Sequence, residues 1–275
     1  MSESPSTLIE YSHAIVATPD LDEKVRLAKI AAQLWHRRKL SLGLRSTALK
    51  MPDRPGRPDK PELLSPKEMP KRSARGTKGK IALLHSLAHI ELNAIDMTWD
   101  LIGRFGWANM PSTFFDNWVR VGVEEAKHFD LLKNRLTGLG ASYGDLPAHD
   151  GLWQTAQDTG EDLLARIAIV PLVLEARGLD VTPAMIRKMT ESGDEKSASI
   201  LSIIYRDEKN HVAFGYKWFR YMCEKEGRVP EPTFHMLVRK YFKGHIKPPF
   251  NDKARSEAGL TPGFYKPLSA LGSYG

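Results

Sequence analysis

Glu125 and His128 lie three residues apart in the stretch VGVEEAKHF, and Glu208 and His211 repeat that spacing in DEKNHV. Residues at i and i+3 share one face of a helix. Each pair therefore offers a carboxylate oxygen and an imidazole nitrogen from a single turn, a donor mixture suited to a divalent transition metal. The pair alone is a weak signal, because chance supplies roughly 0.6 such matches in a chain of this composition. A third copy, Glu10 and His13, stands near the N-terminus and reads as accident.

Two more glutamates strengthen the pattern. Glu91 precedes Glu125 by 34 residues, and Glu175 precedes Glu208 by 33. The order is Glu, Glu-x-x-His, Glu, Glu-x-x-His, with one member per helix. A di-metal carboxylate bundle uses this set: one Glu from each of two helices and Glu-x-x-His from each of the other two. The metal-ligating set is then Glu91, Glu125, His128, Glu175, Glu208 and His211. Their helical neighbours are largely apolar, such as Leu84, Leu87 and Ile95 around Glu91 and Leu201, Ile204 and Val212 around Glu208. Carboxylates in apolar surroundings cost several kcal/mol, or take up a proton, unless they are compensated. Two divalent cations balance four carboxylates and two neutral imidazoles to zero.

Residues around this set have expected supporting roles. A metal-bound His commonly donates its second N–H to a carboxylate. Asp207 is assigned to orient His128, and Glu124 to orient His211. Thr98, two turns after Glu91, and Tyr205, one turn before Glu208, line the site in this reading. Tyr205 reads first as packed core and second as an electron relay. Arg177 pairs with an acidic neighbour or holds an anionic substrate. Pro171 lacks an N–H, so a kink is expected four residues before Glu175. His85 and His89 point away from Glu91 and cap or bridge elsewhere. Trp153 reads as an anchor for the connection that also holds His149 and Asp150.

Long helices must carry these residues. The pattern predicts helices at 78–104, 112–137, 152–177 and 194–226. Their stops are the Gly103 and Gly106 region, Gly138, Gly178 and Gly227, and Ser112 is the expected N-cap of the second. A helix at 20–42 starts from Asp20 with Glu23 completing a capping box. Prolines 52, 55, 58, 61, 66 and 70 forbid helix over 51–80 and predict an extended arm. A short helix near 232–243 precedes an extended KPPFN, and strand signals are nearly absent. The organisation is one structural domain in four parts: an N-terminal helical segment (1–50) packed on the core, a Pro-rich arm (51–80), the di-metal bundle (81–227) and a C-terminal extension (228–275).

The stretches ALLHSLAHIELNAIDMTWDL (82–101), EEAKHFDLLKNRL (124–136), YGDLPAHDGLW (143–153), VPLVLEARGLDVTP (170–183), DEKNHVAFG (207–215) and KPPFN (247–251) resemble the ferritin-like family known as domain of unknown function 455. The resemblance covers most of the chain. It implies an all-α, ferritin-like four-helix bundle and a di-iron centre, with its six ligand positions falling on the six residues above. It implies no substrate.

Composition narrows the function classes. No run reaches 18 apolar residues, so no transmembrane helix or membrane partner is expected. The polar N-terminus and single cysteine, Cys223, point to a reducing, cytoplasmic setting. Residues 37–80 hold 14 Lys and Arg against four acids, which keeps a nucleic-acid partner open although not favoured, since no aromatics interleave the charges. Mixed carboxylate and imidazole ligation suits iron, with manganese as the alternative, better than structural zinc. The expected activity is a non-haem di-iron oxidoreductase that activates O2 to hydroxylate or oxidise a small organic substrate, with an external electron donor. The alternatives are a tRNA-modifying hydroxylase, a peroxide reductase or ferroxidase, and a non-catalytic metal-stabilised scaffold.

Overall fold

The structure, a computed structural model, describes residues 5–43, 50–65, 68–70 and 76–270. It is mostly helical, and the chain divides into two compact units, Met1–Gln157 and Asp158–Gly275. Among the described residues no helix is long and apolar enough to cross a membrane.

In the first unit, α1 (Leu8–Ala17) starts from a capping box. The Thr7 hydroxyl accepts from the Glu10 N–H, and the Glu10 carboxylate accepts from the Ser6 and Thr7 N–H groups at 2.7 and 3.1 Å. Glu10 is thus a capping residue, which accounts for the third Glu-x-x-His match. Next, α2 (Leu21–His36) is capped by Asp20, which accepts from the Glu23 N–H at 2.8 Å. This helix ends before the predicted residue 42, with Arg37 as cap and Arg38 turning the chain at φ 56°.

Helices α3 (Gly76–Arg104) and α4 (Ser112–Thr137) pack on each other, with α1 against α3 and α2 against α4. At ~1.5 Å per residue α3 is about 43 Å long, and every residue from Glu91 to Gly103 is buried. Ser112 is the first helical residue of α4, not its cap. Pro111 takes the cap position at ψ 153°, with no side-chain bond. Gly122 lets α4 close on α3, since a Cβ there would lie 2.7 Å from the Trp99 indole nitrogen.

Of the Pro-rich arm expected at 51–80, residues 51–65 are extended and fastened to this unit, residues 66–67 and 71–75 lie outside the described residues, and residues 76–80 are helical, because α3 begins at Gly76, beyond the last proline of the arm. The Gly56 N–H donates to the Val16 carbonyl, the Trp153 indole to the Asp53 carbonyl, and Arg104 to the Pro52 carbonyl. Two short strands that the sequence did not signal, β1 (Leu63–Leu64) and β2 (Ala148–His149), pair in parallel. Helix α5 (Gly151–Asp158) comes next.

The single helix predicted at 152–177 does not form. The chain breaks after α5, and Asp162 caps a new helix, α6 (Leu163–Ile169), by accepting from the Ala165 N–H. A π-helical turn, Val170–Glu175, then leads into α7 (Ala176–Glu191). Gly178 lies inside α7 and stops nothing. The stop is at Ser192 and Gly193, where φ of 71° ends the helix. Helix α8 (Glu195–Lys225) is capped by Asp194 and ends before Gly227 at φ 66°. The second unit closes with α9 (Pro230–Tyr241), α10 (Asp252–Glu257) and α11 (Pro262–Ala270). Phe219, Phe234 and Phe264 form its aromatic core, with ring centroids 6.0 and 5.5 Å apart along the series.

Candidate metal centre

Glu91 on α3 and Glu125 and His128 on α4 form the first cluster. All three are buried, and His128 and Glu125 are fully so. The Nδ1 of His128 lies 3.4 Å from Glu91 Oε2 and 3.4 Å from Glu125 Oε2. One ligand atom from each residue falls within 4.8 Å of the others. Burial raises the Glu91 carboxyl well above the usual carboxylate range, and the charge of Glu125 raises it further, while His128 opposes them. Two carboxylates that share a site deprived of water behave in this way.

The second cluster is Glu175, Glu208 and His211, again with ligand atoms within 4.8 Å of one another. Glu208 and His211 come from one turn of α8 and are buried, and His211 Nδ1 is 3.6 Å from Glu208 Oε1. Glu175 is half-buried and closes the π-helical turn. Pro171 is the second residue of that turn. Its missing N–H removes an α-helical hydrogen bond, and the backbone accommodates the loss by widening to the π form rather than by a simple kink.

Both clusters combine hard carboxylate oxygens with imidazole nitrogens at spacings that a cation could bridge, and they fit a metal ion by donor type as well as position. A buried group of Glu and His residues here could bind a metal ion.

The other expected residues have defined partners. Glu124 accepts from Arg120 at 3.1 Å, and the buried Asp207 accepts from Arg206 at 3.1 Å. Thr98 is buried on α3, seven residues after Glu91. The Tyr205 hydroxyl accepts from Asn251 Nδ2 at 3.1 Å, so it joins α8 to the C-terminal extension. Arg177 donates to the carbonyls of Lys247 and Pro249 at 2.7 and 3.1 Å and lies 3.4 Å from Asp180. It pairs with an acidic neighbour, as one of its two expected roles required, and it holds the KPPFN segment in place.

Sequence reading missed a buried polar stripe on the back of α3. His85, His89, Asn93, Asp96 and Asp100 recur every three or four residues, which places them on one face, away from Glu91. Asp96 takes an ammonium hydrogen bond from Lys24 on α2 at 2.5 Å, and Arg57 of the arm reaches it at 2.7 Å. Lys24 also donates to the Ile15 and Val16 carbonyls, which caps the C-terminus of α1. His89 donates from Nε2 to the His149 carbonyl and accepts from the Tyr143 hydroxyl at Nδ1, 2.8 Å away. Burial, with the nearby Arg57 charge, lowers its pKa to about 4, so it is neutral near pH 7. His85 accepts from the Gly144 N–H. Both histidines therefore bridge elsewhere, as expected. The available signal was the 4, 4, 3, 4 spacing of polar residues on the face of α3 opposite Glu91.

The family model described as "Protein of unknown function (DUF455)" matches residues 17–266. An "Uncharacterized protein" of Haemophilus influenzae is 43% identical over 213 residues, covering 74% of this chain and 73% of its own. No solved structure matches the chain.

Proposed function

The chain belongs to the family described as protein of unknown function (DUF455), and from that premise we propose that the two clusters act as one di-metal centre in a ferritin-like four-helix bundle. The four rods are α3, α4, the α6–π–α7 segment and α8. Glu91, Glu125 and His128 serve one side of the centre, and Glu175, Glu208 and His211 serve the other. Two such clusters with matching donors, each gathered within 4.8 Å, are the observation that carries this reading.

The favoured ions are two irons, with manganese as the alternative. Once bound, they would supply two-electron reduction of O2 for hydroxylation or oxidation of a small organic substrate, with electrons returned by an external donor. The chain's own residues do the rest. The carboxylates neutralise the ions, and the imidazoles fix the geometry. Asp207 and Glu124 are assigned to hold the His128 and His211 rings in one tautomer. Buried Leu172, Leu201, Ile204 and Val212 keep water from the second cluster. Thr98 is assigned a position along the substrate side.

The arm's charges weigh against the nucleic-acid alternative. Arg57 is spent on Asp96, Arg54 on Asp150 and Lys50 on Asp53, so several of its cations already face acids of the same chain.

The test is to count metals per purified chain, reduce the protein without air, add O2 and record visible spectra. Two irons with a transient absorbance are expected. Tightly held metals that respond to neither O2 nor peroxide would leave a scaffold, and turnover of peroxide or free Fe(II) alone would favour a reductase or ferroxidase. A steep loss of tRNA binding with added salt would restore the RNA reading.

A further inference from the structure

Gly215 stands on α8 four residues after His211 and seven after Glu208, so it shares their face. It is buried against the π-helical turn. A Cβ at this position would lie 2.6 Å from Pro171 Cβ, 2.7 Å from Pro171 Cγ and 3.2 Å from Leu172 Cδ2. The first two atoms belong to a rigid ring and cannot swing aside. The absence of a side chain at 215 is therefore what lets the turn lie flush with α8.

We propose that Gly215 is a positioning residue for the second cluster: with Pro171 it sets how far the π-helical turn sits from α8, and so whether Glu175 reaches Glu208 and His211. This rests on the metal reading above. A π turn carries one residue more per turn than the α-helix, which rotates the residues beyond it. Glu175 is the last residue of that turn, so its direction depends on the turn keeping both its width and its seat. Any side chain at 215 must push the Pro171 ring outward by about 1 Å to reach ordinary van der Waals separation. Metal sites tolerate about 0.2 Å in ligand distance. The displacement falls on Glu175 and leaves Glu91, Glu125 and His128 where they are.

Anaerobic titration with Co(II), read by its visible spectrum and by calorimetry, tests this on the full chain. The parent should bind two ions. Gly215→Ala should keep one ion at parental affinity and bind the other about 10- to 100-fold more weakly, the range seen when support around a ligand is lost. Gly215→Ala placed on top of Glu175→Gln should weaken the second ion no further than Glu175→Gln alone, because the displacement acts through Glu175, a non-additivity that a general loss of stability would not produce. Helical circular dichroism of each apo-protein monitors folding. Parental binding of both ions by Gly215→Ala would overturn the proposal, as would equal weakening of both ions. Additive weakening in the double variant, or failure of Gly215→Ala to fold, would also overturn it. A parent that binds no ion would instead sink the metal reading, and this proposal with it.

Discussion

The two clusters use the same donors on different scaffolds. The first rests on two uninterrupted α-helices, and its three residues are buried. The second draws Glu208 and His211 from an equally regular helix, but it takes Glu175 from a π-helical turn, and that glutamate is half-buried. Regular helix fixes a side chain through every neighbouring turn. A π turn gives up part of that support in exchange for a different direction and a wider groove. On this contrast the first cluster is the rigid anchor.

The buttresses behind the clusters differ in the same sense. Asp96, behind Glu91, is fully buried between Lys24 and Arg57. Asp180, beyond Glu175, is held by Arg255 at 2.7 Å and by the Asn251 N–H at 2.9 Å, and it fastens the short helix α10 and its N-cap rather than a long helix.

The largest expected effect comes from breaking the first buttress. Asp96→Ala leaves a buried lysine and arginine without their anion and should cost about 3–5 kcal/mol, read from the urea midpoint. If the loss is under about 1 kcal/mol, the first unit is not the rigid one. Protonation gives the next effect. His89 is held near pKa 4 in the folded chain against 6.5 when unfolded, so the unfolded chain binds the extra proton between those values. Stability is therefore full above pH 6.5 and falls as pH drops toward 4, by up to about 3 kcal/mol from this group. His89→Gln should flatten that slope in a pH series of urea melts, and an unchanged slope would move the effect elsewhere.

A third variant separates metal binding from folding. Glu125→Gln should weaken metal uptake by more than about 100-fold. Because it removes a like charge from beside Glu91, it should raise the thermal midpoint of the metal-free protein by a few degrees, for a gain of about 1 kcal/mol. Destabilisation of the metal-free form would mean that the two carboxylates do not repel. The smallest effect is expected at the second unit's surface. Arg177→Met should cost about 1 kcal/mol, visible as faster hydrogen exchange over 247–251 with little change in global stability.

Sequence legibility divides along the same line. The spans of α3, α4 and α8 were readable because an apolar stripe and a glycine near its end agreed with one another, although the cap expected of Ser112 falls on Pro111. Five of the six clustered residues lie on those helices and came from their spacing there, while Glu175 came from its 33-residue distance to Glu208, which matches that of Glu91 to Glu125 within one residue. Residues 152–177 misled because an apolar stripe persists across the break and the π turn, and periodicity cannot see one added residue. Pro171 was the visible clue, and it marked a site of disturbance without naming its form. Gly178 looked like a stop because glycine often is one, while Gly193 carries the positive φ that a stop needs. The polar stripe on α3 escaped because its partners, Lys24 and Arg57, are distant in sequence and looked like solvated charges.

The arm also limits how far this molecule can be trimmed. A fragment spanning only 81–227 would keep the six clustered Glu and His residues and the Tyr143 and His149 partners of His89, yet it would lack both cations that face Asp96 and the guanidinium that meets Asn93 on the back of α3. Anyone seeking a minimal metal-binding unit for spectroscopy or redesign should keep residues 5–65, or replace Asp96 with an apolar residue at the outset.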